Sequence, residues 1–141
     1  MSYREAPTYE ISFMFRKILV PVDGSENSLK ALDLAIDLAK HYGSKITVIH
    51  VKPTGFNPEA DPMEKAKNRA KGRGVEITYK TKEFNPAESS TSQAILEEIV
   101  DGNYDLVVLG ARGRTLSGEI YLGSKALSIA INAPVTVIIV R

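Results

Sequence analysis

Residues Leu106–Lys125 read LVVLGARGRTLSGEIYLGSK. A short apolar run ends at Gly110. Two residues separate it from Gly113, and nine more separate Gly113 from Gly123 and Ser124, which are followed by helix-forming sequence and the apolar segment VTVIIV. A buried strand that stops in glycine, turns, and feeds a helix opened by Gly-Ser has the local chemistry of an anion cradle. Glycine admits positive φ and lets a ligand approach the main chain. The unpaired N–H groups of a helix start, aided by the helix dipole, then face the anion.

Upstream the chain repeats one theme. Lys17–Val22 (KILVPV) is a continuous apolar run leading into Asp23-Gly24-Ser25. Such a run fits a strand covered on both faces, as in a parallel sheet. Ser25 is placed to cap a helix in which Leu29, Leu32, Ile36 and Ala39 share one face, and Gly43 is its stop signal. A second strand follows at Lys45–Val51, then a proline-containing loop at Pro53–Pro62 and a helix over Met63–Lys71 with little apolar surface. Val75–Lys80 alternates apolar with polar, which predicts a strand with one wet face near a sheet edge. Phe84–Ser92 predicts a loop whose Ser89, Ser90, Thr91 and Ser92 offer helix caps. Gln93–Val100 predicts a helix stopped at Gly102, Leu106–Leu109 the fourth strand, Lys125–Asn132 the last helix and Val135–Val140 the fifth strand. Strands alternating with helices predict an α/β fold, a doubly wound parallel sheet with helices on both faces. Residues 1–14 read as an N-terminal extension and 15–141 as one domain; Tyr9–Phe15 reads as a strand or an arm.

Composition narrows the function. The formal charge of the 141 residues is +1, so no basic field marks a nucleic-acid binder. The basic stretch Lys65–Arg73 reads as a helix face. With no cysteine, thiolate metal sites, disulfides and cysteine nucleophiles are excluded. No apolar stretch approaches the about 18 residues that span a bilayer. The N-terminus lacks a basic region followed by an apolar core, so the expected location is cytoplasmic with no membrane partner.

In doubly wound sheets, ligands bind at the carboxyl ends of strands where strand order reverses. The sequence does not fix that order. If it is 3-2-1-4-5, Asp23 after the first strand faces Gly110–Gly113 after the fourth. A carboxylate suits a ribose because it accepts from two hydroxyls at once. An Asx turn is the plain alternative for Asp23, a strand-ending turn for Gly110 and Gly113, and helix capping for Ser124. Arg112, Arg114 and Lys125 are candidate phosphate neighbours. There is no GxxxxGK[ST] and no GxGxxG after the first strand, which excludes a P-loop and argues against a dinucleotide fold of the usual kind. His41 and His50 have no carboxylate partner in sequence, and neither reads as catalytic or metal-ligating. A phospho-acceptor receiver domain is also excluded, because a single Asp23 ends the first strand and no acceptor aspartate follows the third.

KILVPVDGS at Lys17–Ser25, YDLVVLGARGRTLSGEIYLGSKA at Tyr104–Ala126 and the terminal APVTVIIVR resemble the universal stress protein family. The pattern GxxGx9G[ST], met by Gly110, Gly113, Gly123 and Ser124, resembles its ATP-binding branch. The resemblance implies a five-stranded sheet in order 3-2-1-4-5, of the adenine nucleotide alpha hydrolase-like type. It implies ATP as ligand, with Mg²⁺ and Mn²⁺ both open as the accompanying ion. Asp23 would hold the ribose, and Pro21 and Val22 would line the base. The main chain at Val51 would meet adenine, and Leu109 and Gly110 would flank the ribose. Gly113, Gly123, Ser124 and Lys125 would form the phosphate loop, with Arg112 beside it. It further implies a homodimer through Val135–Val140. The segment Lys52–Gly74 is short and apolar-poor for this family, and Asn85-Pro86-Ala87 replaces its usual turn after the third strand. No positioned general base is apparent, so turnover beyond slow ATP hydrolysis is not expected. The expected function is to sense or hold nucleotide in a stress response. A slow ATPase or phosphotransferase, and a ligand-free interaction module, stay open as alternatives.

Overall fold

The computed structural model describes residues 14–57, 61–112 and 122–141. Its elements are β1 (Lys17–Pro21), α1 (Glu26–Tyr42), β2 (Lys45–Pro53), α2 (Pro62–Ala70), β3 (Ile77–Phe84), α3 (Thr91–Asp101), β4 (Leu106–Gly110), α4 (Ser124–Asn132) and β5 (Thr136–Val140). Among the described residues the strands form one parallel sheet in the order β3-β2-β1-β4-β5.

The continuous apolar runs are explained by the pleat, which sends successive side chains to opposite faces. Ile18, Val20, Ile46 and Val48 join Leu32 and Ile36 of α1 and Met63 and Ala66 of α2 in one core. Leu19, Ile49, Val107 and Leu109 join Ile95 and Ile99 of α3 and Ala126 and Ile129 of α4 in the other. Both faces of β1 and β4 are therefore dry, and a strand with no wet face shows no alternation.

Local signals fix the helix ends. Ser25 Oγ accepts the Ser28 N–H at 3.2 Å and opens α1. Gly43 closes it in the left-handed region at φ 72°. Asp61 caps α2, with Pro62 at the first helical position, where its missing N–H costs nothing. Apolar-poor as it is, α2 buries Met63, Ala66 and Ala70. Its basic face is tied to α1: Arg69 bonds both Asp33 and Glu26, and Arg73 reaches Asp33. Of the four hydroxyl residues Ser89–Ser92, Ser90 is the cap, accepting from the Gln93 N–H, so the helix begins at Thr91, two residues before the predicted Gln93.

Several element ends shift by a residue or two from the sequence reading, and those of β3 and α4 carry the most consequence. β3 starts at Ile77 rather than Val75 and runs to Phe84 rather than Lys80. Its register pairs Thr81–Phe84 with His50–Pro53. Main-chain pairing extends the strand past the point where the side-chain alternation ends. In α4 the N-cap position is Gly123, with no side-chain cap bond, and Ser124 is already inside the helix. The capping alternative for Ser124 is thereby corrected: a residue past the cap position is not placed to bond the first free N–H groups.

Candidate functional site at the carboxyl ends of β1 and β4

The sheet order puts the reversal between β1 and β4, where the connections leave in opposite directions. β1 delivers Pro21, Val22 and Asp23 to this point. Val22 stays tied to β2 beyond the ladder, since its N–H donates to the Ile49 carbonyl at 2.8 Å. Asp23 then turns the chain. Its Oδ1 accepts the Ser25 N–H at 2.9 Å across Gly24, which lies at φ 86°. The Asx turn is thus real. It leaves acceptor capacity, because a carboxylate has about four lone-pair sites. Ser28, buried in the first turn of α1, accepts from the Asp23 N–H and donates its hydroxyl to the Ser25 carbonyl.

Burial pushes the Asp23 carboxyl up. Hydrogen bonds from the Ser25 side chain and main chain, then the positive charge of Lys125, outweigh it and hold the group below its ordinary value. The carboxylate is therefore charged in this crevice across the neutral range.

The other wall comes from β4 and α4. Asn27 Oδ1 accepts the Arg112 N–H at 2.9 Å. The Ala111 N–H donates to the Val140 carbonyl, and the Ala111 carbonyl accepts the Gly123 N–H, both at 2.7 Å. The start of the β4–α4 connection and the start of α4 are thereby clamped together. The two described glycines serve different ends. A Cβ at Gly110 would lie 2.9 Å from the carbonyl carbon of Asn27, so this glycine is demanded by the close approach of α1. A Cβ at Gly123 would meet Ala111 O at 3.4 Å, an ordinary contact. Neither residue has positive φ, so the permissive backbone inferred from sequence is not what these positions use. Gly113 lies outside the described residues.

One crevice of about 540 Å³, counted with its open mouth, brings these groups together. Pro21, Val22, Asp23, Val51, Leu109 and Gly110 line it, as do Arg112, Gly123 and Lys125. Ser124 is not among the lining residues. The crevice also takes in Ser28, Thr91 and Ile95, which the sequence reading missed. Ile95 was legible as an inward position of its helix, but nothing local shows that α3 reaches over the crevice.

The arrangement offers an apolar slot, a charged carboxylate at its edge, and an uncapped helix start with a lysine in its first turn. A planar apolar base, a hydroxylated sugar and an anion match those three surfaces in order. Among the described residues no three His, Cys, Asp or Glu side chains cluster as a metal site would require, and no helix is long and apolar enough to cross a membrane.

His41, in the last turn of α1, packs edge-on against Tyr42. His50 is more informative. Its Nδ1 lies 3.0 Å from the Val22 carbonyl. A carbonyl only accepts, so Nδ1 carries the proton and donates.

Comparison with known proteins agrees with this geometry. The universal stress protein family model matches residues 14–141. The Bacillus subtilis universal stress protein YxiE is 30% identical over 149 residues, covering 91% of this chain and all of that protein. A universal stress protein solved in complex with cAMP superposes with a TM-score of 0.70 at 25% identity, covering 91% of this chain and 98% of that one. The universal stress protein from Archaeoglobus fulgidus in complex with dAMP shares the fold at a TM-score of 0.71 and 19% identity, covering 92% and 100%. With the sheet order, the switch-point crevice and a family match over nearly the whole length, the chain belongs to the universal stress protein family.

Proposed function

We propose that this protein is a small homodimeric ATP-binding protein that senses or holds adenine nucleotide in a cytoplasmic stress response. The observation that carries the reading is the crevice joining the Asp23 carboxylate to the uncapped start of α4 at Gly123 and Lys125. In this reading the base lies in the slot between Val22, Val51 and Leu109, and Asp23 takes the ribose hydroxyls. The phosphates lie over Gly123, Ser124 and Lys125, with Gly113 and Arg112 beside them. The universal stress protein with cAMP, at 25% identity, supports an adenine nucleotide as the ligand class. Mg²⁺ or Mn²⁺ would accompany ATP through its phosphate oxygens. β5 supports a dimer: it ends the sheet order, and its Val137–Val140 are only partly buried. An apolar strand edge left open would otherwise invite uncontrolled pairing.

The test is nucleotide content. The protein is purified without added ligand and denatured, and the released small molecules are chromatographed. Intact ATP at near one per chain is expected. ADP alone would favour turnover. No nucleotide, and no ATP uptake by the folded protein, would leave an interaction module.

A further inference from the structure

Among the described residues Glu98 is the one buried carboxylate, only 5% exposed, and it does not line the crevice. Its helix neighbours Ile95 and Ile99 belong to the apolar core shared with Leu19 and Val107. Its partners come from far apart in the sheet. Lys80 Nζ, on β3, donates to Oε1 at 2.9 Å and to Oε2 at 3.1 Å. The Tyr104 hydroxyl, just before β4, donates to Oε2 at 2.9 Å. β2 and β1 stand between β3 and β4, so one carboxylate ties α3 to the sheet from two sides. The end of α3 is fastened at the same place. Lys17 of β1 sits over the Tyr104 ring and donates to the Gly102 carbonyl at 2.6 Å, and a Cβ on Gly102 would clash with that ring.

Glu98 also shares a stripe with the crevice wall. Thr91, Ile95 and Glu98 follow one another at intervals of four and three residues, which is one face of a helix. Thr91 and Ile95 line the crevice, and the third member of the stripe is the pinned one. A buried ion pair adds little net stability over apolar side chains of the same volume, and its best-attested use is to fix a register. An apolar residue at position 98 would tolerate a slide or a rotation of the helix. A carboxylate would lose its donors and be stranded. We propose that Glu98 is a positioning residue for the crevice: with Lys80 and Tyr104 it fixes the height and rotation of α3, and through them the place of Thr91 and Ile95 beside the apolar slot. This rests on the nucleotide reading above. The part of the ligand it governs is the base, since Gly123 and Lys125 belong to the start of another helix.

The experiment replaces the whole cluster by apolar groups of similar volume, Lys80→Met with Glu98→Leu and Tyr104→Phe, and measures urea unfolding together with the binding of AMP and ATP. No charge is left stranded, so the unfolding midpoint should stay at or above that of the wild type. AMP and ATP should nonetheless both bind on the order of tenfold more weakly, by the same factor, because they share the base. A cluster that serves stability alone would leave both affinities unchanged. Tyr104→Phe by itself, which removes one of the three bonds, should weaken both nucleotides by a smaller common factor and serves as the folded variant if the triple replacement does not fold. Unchanged affinities in the folded variant, or a loss confined to ATP, which would place the effect at the phosphates, would overturn the positioning role while leaving nucleotide binding intact. Failure of the wild type to bind either nucleotide would overturn both.

Discussion

Asn27 Oδ1 and the Arg112 main-chain N–H, 85 residues apart in sequence, meet at 2.9 Å. The bond ties the first turn of α1 to the residue where the β4–α4 connection begins. Asn27→Ala leaves a part-buried N–H without its acceptor and frees the crevice wall. A stability loss of about 1–2 kcal/mol is expected, together with roughly tenfold weaker ATP binding. Urea unfolding and calorimetric titration on the same preparation check both.

Gly110→Ala should act on the fold rather than on the ligand. The added methyl would press on the main chain of Asn27 and Ser28, and backbone cannot rotate away as a side chain can. Overpacking of this kind costs about 1–3 kcal/mol. Gly123→Ala, whose methyl meets only ordinary contacts, should leave the unfolding midpoint within error. Thermal unfolding of the two variants side by side checks the contrast.

Glu98 is a buried carboxylate held by Lys80 Nζ at 2.9 Å and the Tyr104 hydroxyl at 2.9 Å. Lys80→Met strands the charge and should destabilise by about 2–3 kcal/mol, tempered by the half-exposed lysine. Tyr104→Phe removes one neutral donor and should cost about 1 kcal/mol. Denaturant midpoints that reverse this order would contradict the assigned roles.

The acid limb of stability should depend on Asp23 and Asp33. For Asp33, burial pushes the carboxyl up, but hydrogen bonds from Arg69 and then Arg73, with their charges, hold it below its ordinary value. Asp23 is lowered too. Folding therefore favours the ionised forms. Their contribution is fully present above the ordinary aspartate pKa and is lost as pH falls through the lower folded-state values. Unfolding midpoints measured from neutral to strongly acid pH should fall steeply at the acid end, and Asp33→Asn should flatten that fall.

The parts of the fold set by side-chain pattern were legible in sequence. KILVPV and LVVL announced doubly covered strands, and Ser25 and Gly43 bounded α1 where the structure bounds it. The five-strand order came from resemblance, because strand order is decided by which faces pack and no local signal carries it. The second half of β3 was hidden for a related reason: Thr81–Phe84 pair through main-chain bonds to β2, which impose no residue pattern. In the crevice, Asp23 and Lys125 stood out by type and position, whereas Pro21 came only from the resemblance. Asn27 did not, since an asparagine in a first helical turn looks like ordinary helix-start chemistry. His50 could have been noticed as the one imidazole in KITVIHV, on the same face as the buried Ile46 and Val48. Only the structure pairs its Nδ1 with Val22.

The most direct measurement is the binding of ATP to wild type and to Gly123→Val. A valine at the start of α4 places a branched side chain where the phosphates are assigned. With the wild type saturating at one ATP per chain, the folded variant should bind about a hundredfold or more weakly, as expected when several charge-assisted hydrogen bonds are lost together. Equal affinity in the two folded proteins would contradict a phosphate site at Gly123 and, with it, the assignment of this crevice to ATP.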